Sequence, residues 1–147
     1  MPNTSIRAAT KADIPRISEL ASRSLVDGPY AGIIEDKPEI AKQFAQVVLA
    51  NGSILLGEED ADVVGLLGFI RTNHHFSGQP YAAELMWYVE PEHRKGGIAL
   101  KLLWEAERIA KTAGALDMVL TAPNERDGAL YHRFGYKPLE MTYIKKL

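Results

Sequence analysis

The sequence predicts an α/β protein of the α+β type: a mixed, mostly antiparallel central sheet flanked by helices, with one parallel βαβ pair. Three observations lead there. Apolar residues recur at helical spacing in several stretches separated by strand-like ones. Three of the strand-like stretches follow one another through connections too short for crossovers, which makes them antiparallel neighbours. Strand, helix and strand then succeed one another between Ala83 and Thr121, and a crossover of that kind sets two strands parallel.

Each element has its own signal. Ile6–Ala9 reads as a short strand. Thr10 followed by Asp13 is a helix start of the capping-box kind, and Ile14, Ile17, Leu20, Ala21 and Leu25 repeat behind it at helical spacing. The run Val26–Gly32 (VDGPYAG) breaks that helix. Pro38 suits the first turn of a second helix, with an apolar stripe of Ile40, Ala41, Phe44, Val47 and Val48 that stops at Asn51-Gly52. The period then shortens. Ser53–Leu56 and Val63–Ile70 are strands around the turn EEDAD, with Gly65 and Gly68 weakening the second or marking a bulge. TNHHFSGQP is a loop, and Ala83–Val89 is the next strand, closed by Glu90-Pro91.

From Gly97 the helical period returns. Ala99, Leu102, Leu103, Ala106, Ile109, Ala110 and Ala113 share one face, opposite Lys101, Glu105, Arg108 and Thr112. Gly114 ends this helix. Leu116–Thr121 is a continuous apolar strand of the kind found in a sheet covered on both faces. Asn124–Phe134 is a short helix with Gly135 as its left-handed cap. Leu139, Met141 and Tyr143 alternate as a last strand.

The totals exclude several functions. With 147 residues, 46% of them hydrophobic, the chain is read as one domain, 1–147, able to build a core. Its net charge of −2 gives no field for a polyanion, so no nucleic-acid partner is expected. There is no cysteine, which removes disulfides, thiolate metal sites and cysteine nucleophiles. No run nears the roughly 20 apolar residues that span a bilayer, so a cytoplasmic protein without membrane contact is expected.

The stretch EHRKGGIALKLLWEAE carries the chemistry. His93, Arg94 and Lys95 run into Gly96-Gly97 at the mouth of a helix. A helix N-terminus has unpaired N–H groups and a positive dipole end, and glycines there let a phosphate reach the backbone without meeting a Cβ. The stretch can therefore cradle an anion after a strand. It can equally be a turn joining strand to helix, with its charges in solvent. It is neither a P-loop nor a dinucleotide-binding fingerprint, because the spacings differ.

The pattern Arg94-Lys95-Gly96-Gly97-Ile98-Ala99 fits Arg/Gln-x-x-Gly-x-Gly/Ala, with Val89 and Pro91 just before it. Here the sequence resembles the GNAT family of N-acetyltransferases. IRAATKADIPRISEL resembles the family's opening, and Asn124, Tyr131 and the following RFGY resemble its late segment. The resemblance runs through nearly the whole chain and is densest from Glu84 to Tyr136. Ala99 stands where a second glycine is frequent in the family.

The resemblance implies the GNAT fold, with the parallel pair splayed to hold acetyl-CoA as co-substrate and no metal. It implies that the pyrophosphate sits on Arg94, Lys95, Gly96, Gly97, Ile98, Ala99 and Leu100. The pantetheine arm would pair with the strand end Trp87, Tyr88 and Val89, and Asn124 would steady it or the nearby turn. Tyr131 would be the acid that protonates the departing thiolate, although an aromatic between Leu130 and Phe134 also suits a core. Asn124 also reads as a plain helix cap facing Asp127.

Glu84 is the candidate base, read as lying on the same strand face as Met86 and Tyr88. A carboxylate buried in so apolar a strand would have a raised pKa; in solvent it would only mark a strand end. His74 and His75 lack a carboxylate spaced to complete a metal site, and read as exposed loop residues. Tyr30 is a candidate for the acceptor pocket; Trp87 and Trp104 also read as packing residues.

The resulting expectation is an enzyme moving an acetyl group from acetyl-CoA to the amine of a small molecule or protein, and the resemblance allows a homodimer. The alternative is a module that binds an acyl-CoA without turnover, as a sensor.

Overall fold

The computed structural model describes residues 2–147. Its elements are β1 (Thr4–Ala8), α1 (Ile14–Asp27), α2 (Pro38–Asn51), β2 (Gly52–Glu59), β3 (Asp62–Asn73), β4 (Pro80–Val89), α3 (Ile98–Thr112), β5 (Asp117–Val119) and α4 (Glu125–Arg133). The strands form one sheet in the order β1-β2-β3-β4-β5. β1 to β4 pair antiparallel in succession, and α3 is the crossover that sets β5 parallel to β4. The mixed, mostly antiparallel sheet is thus the one the sequence predicts.

The start of α1 is fixed by charge. The Thr10 N–H donates to the Asp13 carboxylate at 2.8 Å. Arg7 of β1 grips the same carboxylate with bonds of 2.8 and 2.9 Å and reaches Glu58 of β2 at 2.6 Å. The Arg7 guanidinium holds the Asp13 carboxyl well below the usual carboxylate range.

The sheet buries both faces. On one, Leu102, Leu103, Ala106 and Ala110 of α3 pack on Leu55, Leu67, Phe69 and Val89. On the other, Ile17 and Leu20 of α1 and Ala45 and Val48 of α2 pack on Ile54, Leu56, Leu66 and Tyr88. No described helix is long and apolar enough to cross a membrane.

Four expectations are corrected. The strands of the meander are longer than their apolar runs, because β3 continues to Asn73 and β4 begins at Pro80. The polar ends pair as well as the apolar middle does, since backbone bonding does not depend on side-chain polarity.

The second correction concerns Glu84. Gly68 pairs with Met86 and Phe69 with Glu84, which leaves Leu85 as an extra residue in β4. One extra residue inverts the alternation of a strand. Glu84 therefore shares the α3 face with Phe69 and Trp87, whereas Met86 and Tyr88 face α1 and α2.

The third concerns α2. Ala45 and Val48 are buried, but Ile40, Phe44 and Val47 lie on the outside, Phe44 being 54% exposed. The apolar arc of α2 is wider than the line along which it meets α1 and the sheet.

The fourth concerns the C-terminal end. β5 has three residues, not the six of Leu116–Thr121, and none of them is buried. α4 has no buried residue either. Leu139–Tyr143 forms no strand. Alternation specifies a strand only where an edge receives it, and no described edge of this chain bonds to that segment.

Candidate active site

β4 and β5 pair only through Tyr81–Ala83 and Asp117–Val119. Past that point no ladder joins the two, and Glu84–Val89 presents an edge with no β5 partner. The bulge at Leu85 sits where they part, and a bulge bends its strand and increases its twist. The Glu90 N–H donates to the Val64 carbonyl of β3 at 2.9 Å. Backbone groups alternate edges along a strand, so the N–H and C=O of Val89 face the gap.

Arg94 closes the far end of this edge. Its Nε donates to the Val89 carbonyl at 2.7 Å, and its guanidinium lies 5.4 Å from the centre of the Tyr88 ring. The Tyr88 hydroxyl donates to Asp27 of α1 at 2.8 Å. The Arg94 side chain is therefore engaged at the strand end and not at the glycines.

Pro91–Gly96 forms a 3-10 turn, and Gly97 caps α3 with a φ of 79°. That left-handed backbone suits glycine. No side chain caps α3, so the N–H groups of Ile98, Ala99 and Leu100 lack intrahelical partners. Gly96 and Gly97 are exposed, and a Cβ on Gly97 would meet nothing within 4 Å. The corner is open. Lys95 is exposed beside it, whereas Lys101 donates to Thr4 Oγ1 at 2.6 Å. Glu59, whose carboxylate a Cβ on Gly96 would approach, is engaged by His93.

The opposite wall comes from α4. The Asn124 carbonyl oxygen accepts from the Asp127 N–H at 2.9 Å, and its amide donates to the Asp127 carboxylate at 3.1 Å. Its capping role is thereby in place. Tyr131 lies face to face with Trp87, ring centres 5.5 Å apart and planes within 20°, and its hydroxyl donates to the Thr121 carbonyl at 3.3 Å. Burial, and then the charge of Glu84, raise the Tyr131 pKa above that of a free phenol. Glu84 is pushed up to about 7 by burial, with the Thr121 backbone opposing the shift. A carboxyl raised towards neutrality thus lies within electrostatic reach of a phenol that stays protonated.

On the other face of β4, Ser22, Arg23, Val26, Asp27, Asp36 and Tyr88 line an open cleft of about 390 Å³. Tyr30 is half exposed and is not among its lining residues. His74 and His75 stack 4.8 Å apart in the exposed β3–β4 turn. Trp104, read as a packing residue, is mostly exposed. Glu90, Glu92 and His93 lie close enough to hold an ion, but Glu90 already serves the two arginines of α1.

Those arginines are what the sequence reading missed. Glu90 is buried, and Arg16, at 3.3 Å, and Arg23 both bind it. They fix the end of β4 to α1. Their separation by seven positions puts them on one helix face, which was the available signal.

Comparison with known proteins agrees with this architecture. The model of the Acetyltransferase (GNAT) family matches residues 16–136. No curated protein matches the chain by sequence. Among solved structures, the chain is similar to a predicted acetyltransferase with acetyl-CoA from Clostridium acetobutylicum, with a TM-score of 0.80, 18% identity and coverage of 98% of this chain and 96% of the other. It is similar to the aminoglycoside N-acetyltransferase AAC(6')-Iy in complex with CoA, with a TM-score of 0.80, 16% identity and coverage of 100% and 96%. It is also similar to the ribosomal-protein-alanine N-acetyltransferase of Brucella melitensis biovar Abortus 2308, with a TM-score of 0.77, 20% identity and 99% coverage of both. At these identities the likeness establishes the fold, and the family model establishes the kinship. The chain belongs to the GNAT family of acetyltransferases.

Proposed function

We propose that the chain is a single acetyltransferase domain, 1–147, that transfers acetyl from acetyl-CoA to the amine of a small molecule or protein by direct attack. The observation that carries this reading is the gap itself. An unpaired β4 edge from Glu84 to Val89 leads to an open, uncapped helix N-terminus at Gly96-Gly97, with Tyr131 on the opposite wall.

The residues present fit the co-substrate. The amides of Gly97 to Leu100 would take its diphosphate, with Lys95 adding charge, and the Trp87–Val89 edge would pair with the amide-bearing arm. Asn124 would hold the α4 wall in place through its cap. Arg94 is assigned to the strand end, where it keeps Val89 ordered. Acetyl-CoA supplies the acetyl group as a thioester. The neighbours' names cover acceptors as different as an aminoglycoside and a ribosomal-protein alanine, so both acceptor sizes stay within the proposal. The cleft beside Asp27, Asp36 and Tyr88 is our acceptor entrance, and its carboxylates suit a cationic amine.

Three proton and charge movements fall to the chain. An ammonium must lose a proton before its nitrogen can attack, and Glu84, titrating near neutrality, accepts it through water. The Val89 N–H faces the gap and stabilises charge on the carbonyl oxygen. The Tyr131 hydroxyl returns a proton to the leaving sulfur. Free-thiol release measured across a panel of amines tests the reading: acetyl-CoA with an amine should yield thiol and acetylated amine. Tight binding of acetyl-CoA with no thiol released by any amine would instead favour the sensor.

A further inference from the structure

Of the three basic residues that precede Gly96-Gly97, Arg94 is engaged at the end of β4 and Lys95 is exposed. His93 is arranged differently from both. Its Nδ1 is bonded to the Glu59 carboxylate of β2, and Glu59 has no other side-chain partner among the described residues. The pair is shielded, with the His93 side chain 29% exposed and that of Glu59 12%. The carboxylate also reaches the mouth of α3, because a Cβ built on Gly96 would lie 3.1 Å from Glu59 Oε1.

A carboxylate in that position opposes an anion site. It stands within one screening length, about 8 Å at physiological salt, of a diphosphate held by the amides that follow Gly96. Its surroundings do not offset it. A cavity of about 420 Å³ beside the pair is lined also by Glu19, Asp60, Asp62 and Glu90, with Arg16 as the only arginine in that lining. Arg16 is divided between Glu19, at 2.8 Å, and Glu90, at 3.3 Å. Asp60 accepts the Asn3 N–H at 3.0 Å. His93 is therefore the group that can cancel the charge of Glu59.

We propose that His93, in its protonated form, neutralises Glu59 and thereby lets the corner accept the diphosphate of acetyl-CoA. It is a positioning residue, since it touches Glu59 and not the co-substrate. The inference rests on the acetyl-CoA reading above and adds a charge condition to it. With a proton on both ring nitrogens the pair sums to zero; with a proton on one, the pair keeps a full negative charge beside the anion site. Nucleotide binding and His93 protonation then favour each other, so affinity falls as that proton is lost.

Calorimetric titration with CoA at pH 6 and pH 9 tests this in the parent, His93→Gln, Glu59→Gln and the double variant. Glutamine at position 93 can still donate to Glu59 but carries no charge. The backbone bond from the residue 93 N–H to the Glu90 carbonyl, 2.9 Å, is untouched by the change. At pH 6 His93→Gln should bind CoA about tenfold more weakly than the parent, and at pH 9 the two should bind alike. Glu59→Gln alone should bind at least as tightly as the parent. Added to His93→Gln, it should restore the pH 6 affinity to within about twofold of the parent, because the charge to be cancelled is gone. A residue that only ordered the turn would not be rescued by removing its partner. The ionisation of the nucleotide itself is common to all four proteins and cancels from the comparison.

Equal affinities of the parent and His93→Gln at pH 6, or a loss that Glu59→Gln does not restore, would overturn the proposal. Gly97→Ala, titrated alongside, separates that failure from a failure of the acetyl-CoA reading. Affinity that responds to Gly97 and not to His93 keeps the diphosphate at the corner and removes only the role of His93. No binding of CoA to the parent, or binding indifferent to both residues, removes the site and the inference with it.

Discussion

The proposed chemistry turns on Tyr131 and Glu84, and each makes a separable claim. Tyr131→Phe keeps the ring against Trp87 and removes the hydroxyl, with its proton and its bond to the Thr121 carbonyl, so kcat should fall by about a hundredfold with little change in the KM for acetyl-CoA. Steady-state thiol release measures both, and an unchanged kcat would remove Tyr131 from the mechanism. For Glu84, burial lifts the pKa from 4.5 to about 7. A base of that kind makes kcat/KM rise with pH through about 7, and Glu84→Gln should abolish this limb along with most of the activity. The same shift has a cost in stability. Between 4.5 and about 7 the unfolded chain gives up this proton and the folded chain keeps it, so stability falls as pH rises through that window and is flat above it. Glu84→Gln, always neutral, should therefore be more stable than the parent near pH 8, by on the order of 2–3 kcal/mol, and no more stable near pH 4. Urea unfolding at the two pH values checks the sign. Both are candidates that the sequence already offers, Tyr131 through the family resemblance of its segment and Glu84 as a carboxylate in an apolar strand. The face of Glu84 was not, because a single bulged residue at Leu85 reverses the alternation and leaves no mark in the pattern of residue types.

At the scale of elements, the α3 N-terminus separates conformation from ligand contact. Gly97 and Gly135 both have positive φ, 79° and 92°, and a Cβ on either would meet nothing within 4 Å. Alanine at either position should cost about 1 kcal/mol or more from the backbone alone. Only Gly97→Ala should also weaken acetyl-CoA, by about tenfold, because only Gly97 borders the proposed cradle. Calorimetric titration of the two variants checks this, and equal affinities would take the diphosphate away from this corner. The body of α3 carries a different load. Leu103 is fully buried against the sheet, and Leu103→Ala should destabilise by about 2–5 kcal/mol in urea unfolding. α1 and α3 were read from the sequence almost as they stand, since a long amphipathic repeat has few alternative solutions. α2 was read too generously: Ile40, Phe44 and Val47 continue its apolar arc but face outward. Periodicity locates a helix and its apolar side; it does not say how much of that side finds a neighbour.

The whole molecule is a sheet covered on both faces near its middle and less covered at its β5 end. The covered part supplies rigidity, with Glu90 held by Arg16 and Arg23 so that β4 stops where α1 dictates. The less covered part forms the gap. Topology was legible because short connections force antiparallel pairing and one helical crossover forces the parallel pair. The state of the tail was not, because whether an alternating segment becomes a strand depends on an edge that the sequence does not locate. The central claim is that the gap between β4 and β5 receives acetyl-CoA with its diphosphate on the α3 N-terminus. A crystal structure of the chain with CoA tests it most directly. The expected result has the diphosphate bonded to amides within Gly96–Leu100 and the sulfur between the two strands, towards Tyr131. A nucleotide bound elsewhere, or a gap kept shut by the Trp87–Tyr131 stack with CoA outside it, would contradict the account.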